Sequence, residues 1–221
     1  MMRVLLLASS ITLALIVTAD AQAANPYEVF RLGMTAAEIE TAATAHGGSV
    51  VDPTRIAPQE AGRAPPDFGN FQMLVGGIPT GDMALGMFIL ENGELKSFTF
   101  DYNFMNSKSP KPRIPREACD ATFARIGQSI ATVHGQPASD EAEVEDGIRG
   151  HLLTWHLDGG TLWAYQRTQG MMTSEEDPYC SDVVTTAFAG TDEACEEFFA
   201  RFLSAVGLPE DSVATAAPRG R

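Results

Sequence analysis

Ala43-Thr44-Ala45-His46-Gly47 and Ala131-Thr132-Val133-His134-Gly135 are nearly the same string, set about 88 residues apart, and their reading decides the fold. Each closes an apolar-periodic run. Each places a His where a last helical turn welcomes positive charge, and a Gly where a left-handed backbone ends a helix. Upstream of the first string, Thr35 is an N-cap with Glu38 three residues on, a capping box flanked by Met34 and Ile39 as a hydrophobic staple. The helix expected there covers 36–45. Upstream of the second, Cys119, Phe123, Ile126, Ile130 and Val133 recur at spacings of four and three, one apolar face of a helix over 115–133. The matching ends point to an internal duplication.

Strands are expected after each helix: 49–52, 71–75, 83–90 and 94–103 after the first, then 151–157, 161–168 and 182–188 after the second. Asn92-Gly93 is a two-residue hairpin signal. A simple two-residue turn there sets Met87 opposite Phe98 and Leu85 opposite Phe100, on one apolar face. Asp158-Gly159-Gly160 makes a second turn, which brings Trp155 opposite or close to Leu162. A third helix begins at Thr191, with Asp192 and Glu193 in its first turn and an apolar stripe of Phe198, Phe199, Phe202, Leu203 and Val206. Residues 53–70 and 106–116 read as Pro-rich and polar loops, and 139–146 as an acidic loop. The fold class expected is α+β: an antiparallel sheet with helices packed on one face, built from two tandem helix–strand–strand repeats. The repeats cover 24–112 and 113–208, the second carrying the C-terminal helix, and 209–221 is expected to be a disordered tail.

The first 23 residues read as an export signal: Arg3, then an apolar run from Val4 to Thr18, then an Ala21-Gln22-Ala23 cleavage site. The run is shorter than the roughly 20 residues a spanning helix needs, so the expected product is periplasmic or secreted, with no integral membrane span. Asp and Glu number 29 against 15 Lys and Arg, for a net charge of −14. That balance argues against nucleic acid and can steer a basic partner. Three cysteines in an oxidising compartment predict one disulfide and one thiol. Spacing alone leaves the pairing open. Cys119 with Cys180 is the expected bridge, which would tie the second helix to the strand region ending its own repeat.

The stretch Phe30-Arg31-Leu32-Gly33-Met34-Thr35-Ala36-Ala37-Glu38-Ile39 resembles the helix start of helix–strand–strand repeats in BamE-like outer-membrane assembly lipoproteins and the β-lactamase inhibitory protein. The inhibitory protein carries two such repeats in tandem. The resemblance implies a binding scaffold rather than a chemistry. This chain lacks the lipobox Cys of the lipoproteins, and its second helix lacks the Gly-Met-Thr string.

Among catalytic candidates, His46 and His134 serve helix ends, while His151 and His156 lie on one strand, five residues apart, and so point to opposite faces. There is no Gly-x-Ser-x-Gly turn, and Ser107-Lys108-Ser109 lacks the spacing of a Ser/Lys pair. Glu141, Glu143, Glu145 and Asp146 offer oxygens to a cation but lack an EF-hand loop, and Glu175-Glu176-Asp177 reads as another solvated run. No catalytic residue, cofactor site or metal site is assigned. Trp155, Trp163 and Tyr165 are the partner-binding candidates, with Trp163 and Tyr165 on one strand face and Trp155 on the other. The function expected is a non-catalytic module that binds an envelope protein or peptide. The alternatives are a small periplasmic hydrolase with a site dispersed in sequence, and an inhibitor of an envelope enzyme.

Overall fold

The computed structural model describes residues 24–53, 68–80, 85–102, 114–145, 148–169 and 179–206. Residues 1–23, where an export signal is expected, residues 209–221, where a tail is expected, residues 107–109, residues 175–177 and most of the two expected Pro-rich loops lie outside them. In chain order the elements are α1 (Pro26–Val29), α2 (Ala36–Ala45), β1 (Ser49–Val51), β2 (Phe71–Gly77), β3 (Leu85–Glu91), β4 (Glu94–Asp101) and β5 (Ile114–Pro115). Then come α3 (Arg116–His134), β6 (Ser139–Glu145), β7 (Ile148–Leu157), β8 (Gly160–Gln169), β9 (Tyr179–Phe188) and α4 (Asp192–Ala205). The fold is α+β. Eight strands form one antiparallel sheet in the order β1-β2-β3-β4-β9-β8-β7-β6, and the short β5 also pairs with β9. A helix followed by a four-strand meander occurs twice along the chain. The last strands of the two meanders meet at the centre, from Ser97 opposite Phe188 to Asp101 opposite Val184.

The capping box forms as its residues dictate. The Thr35 N–H donates to Glu38 Oε2 at 2.7 Å and the Glu38 N–H donates to Thr35 Oγ1 at 3.4 Å. The Thr35 backbone N–H, and after it the Thr35 hydroxyl donating to Glu38 Oε2 at 2.8 Å, favour the ionised carboxylate and hold Glu38 below the usual carboxylate range. The chain entering α2 is pinned to the sheet, because the Gly33 N–H donates to Leu95 O and the Leu95 N–H to Met34 O, both at 2.8 Å. The buried stripe of α3 comprises Cys119, Phe123, Ile126 and Ile130, while Val133 lies past it and is exposed. At the end of α3 the Trp155 indole N–H donates to Gly135 O at 3.0 Å, so β7 holds the helix terminus by a side chain.

The core has two layers, one on each face of the sheet. On the first face Leu74, Phe88, Leu90, Phe98, Phe100, Leu162 and Ala164 pack beneath α1, α2 and α3. Phe88 sits at its centre, with ring centroids 4.7 Å from Phe30, 5.9 Å from Phe100 and 6.4 Å from Phe98. On the second face Ile89, Trp163 and Phe188 pack against Cys195, Phe198, Phe199 and Phe202 of α4. Helices therefore lie on both faces, not on one. An amphipathic stripe specifies that a helix docks but not on which side, and α4 docks on residues of the opposite strand parity.

The β3–β4 register also differs from expectation. Glu91 faces Glu94 and Leu90 faces Leu95 across the two-residue turn, but Ile89 then faces Ser97. Lys96 is an extra residue in β4, a β-bulge, and every pair beyond it moves by one. Phe88 therefore faces Phe98, Gly86 faces Phe100, Met87 faces Thr99 and Leu85 faces Asp101. The bulge also explains why Leu95 and Phe98, three residues apart, serve the same core. The second hairpin keeps its expected pairing, Trp155 opposite Leu162. In denaturant unfolding, Phe88→Ala is expected to cost about 3–5 kcal/mol as a buried aromatic deletion, and Met87→Ala distinctly less, since Met87 lies on the other, half-open face.

Candidate functional site

The acidic segment expected to be a loop is an edge strand. Ser139–Glu145 pairs with Ile148–Leu157 in an unbroken antiparallel register, from Ser139 opposite Thr154 to Glu145 opposite Ile148. Its acidic composition favours a loop, yet charges along an edge suit a strand that faces water on its outer side. Strand alternation then separates the carboxylates. Asp140 points to the α3 side, and Glu141 and Glu143 to the other face.

His151, on β7, accepts this arrangement. Its Nε2 lies 2.7 Å from Asp140 Oδ1, and its ring stacks 4.8 Å from Phe123 of α3. Both partners are solvent-accessible, and among the described residues no hydroxyl or thiol is bonded to the imidazole. His156 is exposed on the strand's opposite face. His134 is the basic residue in the last turn of α3 and is exposed there. Burial lowers its pKa from the usual imidazole value, and this outweighs a hydrogen bond with the Tyr27 backbone that favours the proton. Among the described residues no three His, Cys, Asp or Glu side chains converge on a cation site.

The aromatic candidates divide. Trp155 is 1 % exposed inside the first core, and Trp163 is 8 % exposed beneath α4. At the two tryptophans each face of that hairpin is covered, so the exposed Trp patch expected there does not form. Tyr165 is half-buried and lies beyond the cover of α4. The strand pairings align it with Leu85, Asp101, Val184, Leu152 and Glu141 in one row across six strands. The neighbouring row runs Val75, Met87, Thr99, Thr186, Trp163 and Thr154. Of these twelve side chains, all but buried Trp163 and exposed Glu141 are half-buried. The Thr99 and Thr186 hydroxyls bond across the central seam at 3.1 Å.

Gly150 makes room at the end of this face. A Cβ placed there would stand 3.0 Å from Glu143 Cγ, 3.1 Å from Glu143 Oε1 and 3.3 Å from the Tyr165 hydroxyl. The missing side chain lets the Glu143 carboxylate and the Tyr165 hydroxyl converge over β7. A glycine inside a strand signals this kind of close approach. The six-strand row has no signal in sequence, because it is assembled by register between distant segments.

Elsewhere the cover on this face is anchored. Glu91, at the end of β3, accepts a charge-assisted bond from Arg201 of α4, whose guanidinium also lies 5.9 Å from the Phe71 ring centroid. Cys195 is a free thiol inside this layer, and burial first, then Asp192 and Glu196, pushes its pKa up to about 12. Such a thiol is not a nucleophile at neutral pH. Cys119 is disulfide-bonded. The side chain of Cys180 lies outside the described residues, and the backbone of β9 sets Cys180 opposite Ile114, just before α3. The site therefore offers non-covalent contacts: apolar side chains, hydroxyls and carboxylates on a broad sheet face. The chain matches no protein-family model, and no similar curated protein or solved structure is found for it.

Two outcomes follow from these groups. In non-reducing peptide mapping, Cys119 is expected in a bridge with Cys180, and Cys195 should take up alkylating reagent only after unfolding. His134, with its folded pKa below the unfolded value, stabilises the fold above about pH 6.5, and that contribution is lost as pH falls through the folded pKa. The residue is exposed, so solvent screens the effect and keeps it small. Thermal unfolding midpoints of the wild type should drop more between pH 7.5 and 5.5 than those of His134→Gln.

Proposed function

We propose that this chain is an exported, non-catalytic binding module of the cell envelope that holds a protein or peptide partner on the open half of its sheet. The observation that carries this reading is the pair of half-buried rows crossing six strands, with Tyr165 among them. Such a face has the mixed character of a recognition surface: apolar atoms for contact, and hydroxyls and carboxylates for orientation. Both meanders supply it, so the partner would be read by the two halves together.

Export is supported by the reading of residues 1–23 and by the engagement of Cys119 in a disulfide, which an oxidising compartment maintains. A tandem origin of the two halves is supported by the repeated helix-then-meander order and by the matching His-Gly helix ends. The resemblance of the α2 start to repeat-built envelope proteins adds to both. A hydrolase has less support, because His151 and Asp140 meet at an open sheet edge rather than in a pocket. Inhibition of an envelope enzyme would be one form of the binding proposed.

The test is site-specific photocrosslinking in intact cells, with the reactive residue placed at Tyr165 and, as a control, at Gln128 on the exposed side of α3. A discrete adduct of higher mass is expected from position 165 and not from 128. Folded, exported protein that gives no adduct at 165, or the same adducts at both positions, would overturn the reading.

A further inference from the structure

We propose that β6 is a docking edge on which an extended, basic segment of another protein adds to the sheet as a further strand. The inference rests on the binding-module reading and names the form and charge of the partner.

The feature is the edge itself. Among the described residues β6 ends the sheet, and residues 140–144 are all exposed. A terminal strand presents a row of backbone N–H and C=O groups that its inner neighbour leaves unpaired. Folded proteins blunt such edges by shortness, bulges, prolines or charged side chains, and the carboxylates of β6 guard this edge against acidic strands while leaving it attractive to basic ones. The opposite edge, β1, has only three residues. β6 has seven, Ser-Asp-Glu-Ala-Glu-Val-Glu, with no Pro, no Lys and no shift in its register with β7. Val144 is 70 % exposed on this strand. The edge is therefore long and regular enough to template a partner strand.

The charges select which strand. Glu141 and Glu143 point to the open face with Tyr165 nearby, and Asp140 points to the other side, against His151. A second copy of β6 would set carboxylate against carboxylate, which disfavours self-pairing, as does the net charge of −14. An extended segment with Lys or Arg at alternate positions matches the period of two, with every cation on the Glu141–Glu143 face. Its intervening apolar residues would then fall on the side of Ala142 and Val144. Backbone pairing would supply adhesion, and the charges would set partner choice and encounter rate.

The experiment uses the purified full chain with three synthetic decapeptides: a Lys-Val repeat, a Glu-Val repeat, and a Lys-Pro repeat of the same charge that cannot pair as a strand. Amide hydrogen exchange locates the contact. The Lys-Val peptide is expected to slow exchange in residues 139–145 and leave β1 unchanged, while the other two slow neither. In the double variant Glu141→Lys, Glu143→Lys, the Lys-Val peptide should bind about tenfold more weakly at low salt and the Glu-Val peptide should gain binding. The proposal is overturned if the Lys-Pro peptide does as well as Lys-Val, if protection falls elsewhere, or if β6 becomes protected by self-association without peptide. Photocrosslinking from position 165 in cells, together with an inert β6, would overturn the docking edge and leave the module reading intact. Protection of β6 by Lys-Val with no adduct from 165 would uphold the edge and remove the open face as the binding surface.

Discussion

The antiparallel pairing of β4 with β9 is the constraint on which the other contacts depend. Each meander alone is a local structure made by hairpins. Only the pairing from Ser97 with Phe188 to Asp101 with Val184 makes them one sheet. It gives α3 a floor of strands from the second meander while α1 and α2 rest on the first, in a single continuous core. It also gives α4 a surface with Phe71 and Ile89 from one meander and Phe188 and Trp163 from the other. The paired residues are roughly 90 positions apart in sequence, so the seam carries a chain-closure cost that no hairpin carries.

Local elements were legible in the sequence where the chemistry is local. The Thr35–Glu38 capping box, the end of α2 and the two-residue turn between Leu157 and Gly160 all need only neighbours to form, and all are present. What failed to show depends on distant partners. The bulge at Lys96 leaves no mark in a string that reads as a simple hairpin, yet it moves Met87 and Phe98 to opposite faces. The face chosen by α4 is decided by which strand parity remains uncovered once α1, α2 and α3 have docked. The acidic composition of 139–145 masked a strand because its carboxylates share the surface with water instead of competing with it.

The candidate site was legible only in part. Trp155 and Trp163 stand out in sequence as large aromatics, but the same size that marks a binding anchor also fills a core, and the core claims both. Tyr165 remains, and its neighbour Val184 and, one strand further, Asp101 come from strands that sequence cannot align with it. Gly150 is the one local cue, and its meaning becomes clear only when Glu143 and Tyr165 are seen meeting above it.

The place of α4 in the chain has its own consequence. It is the last described element of the chain, and it supplies the lid for Ile89, Trp163 and Phe188. Until it docks, the sheet has an aromatic strip on one side that α4 does not yet cover, the kind of surface on which chaperones act and chains aggregate. Its Phe198 ring packs 5.7 Å from Phe71 and 5.3 Å from Phe188, one ring from each meander. Proteolytic loss of this helix would therefore do more than shorten the molecule: it would unclasp the two halves on one side and leave the seam and the core of the opposite face to hold them.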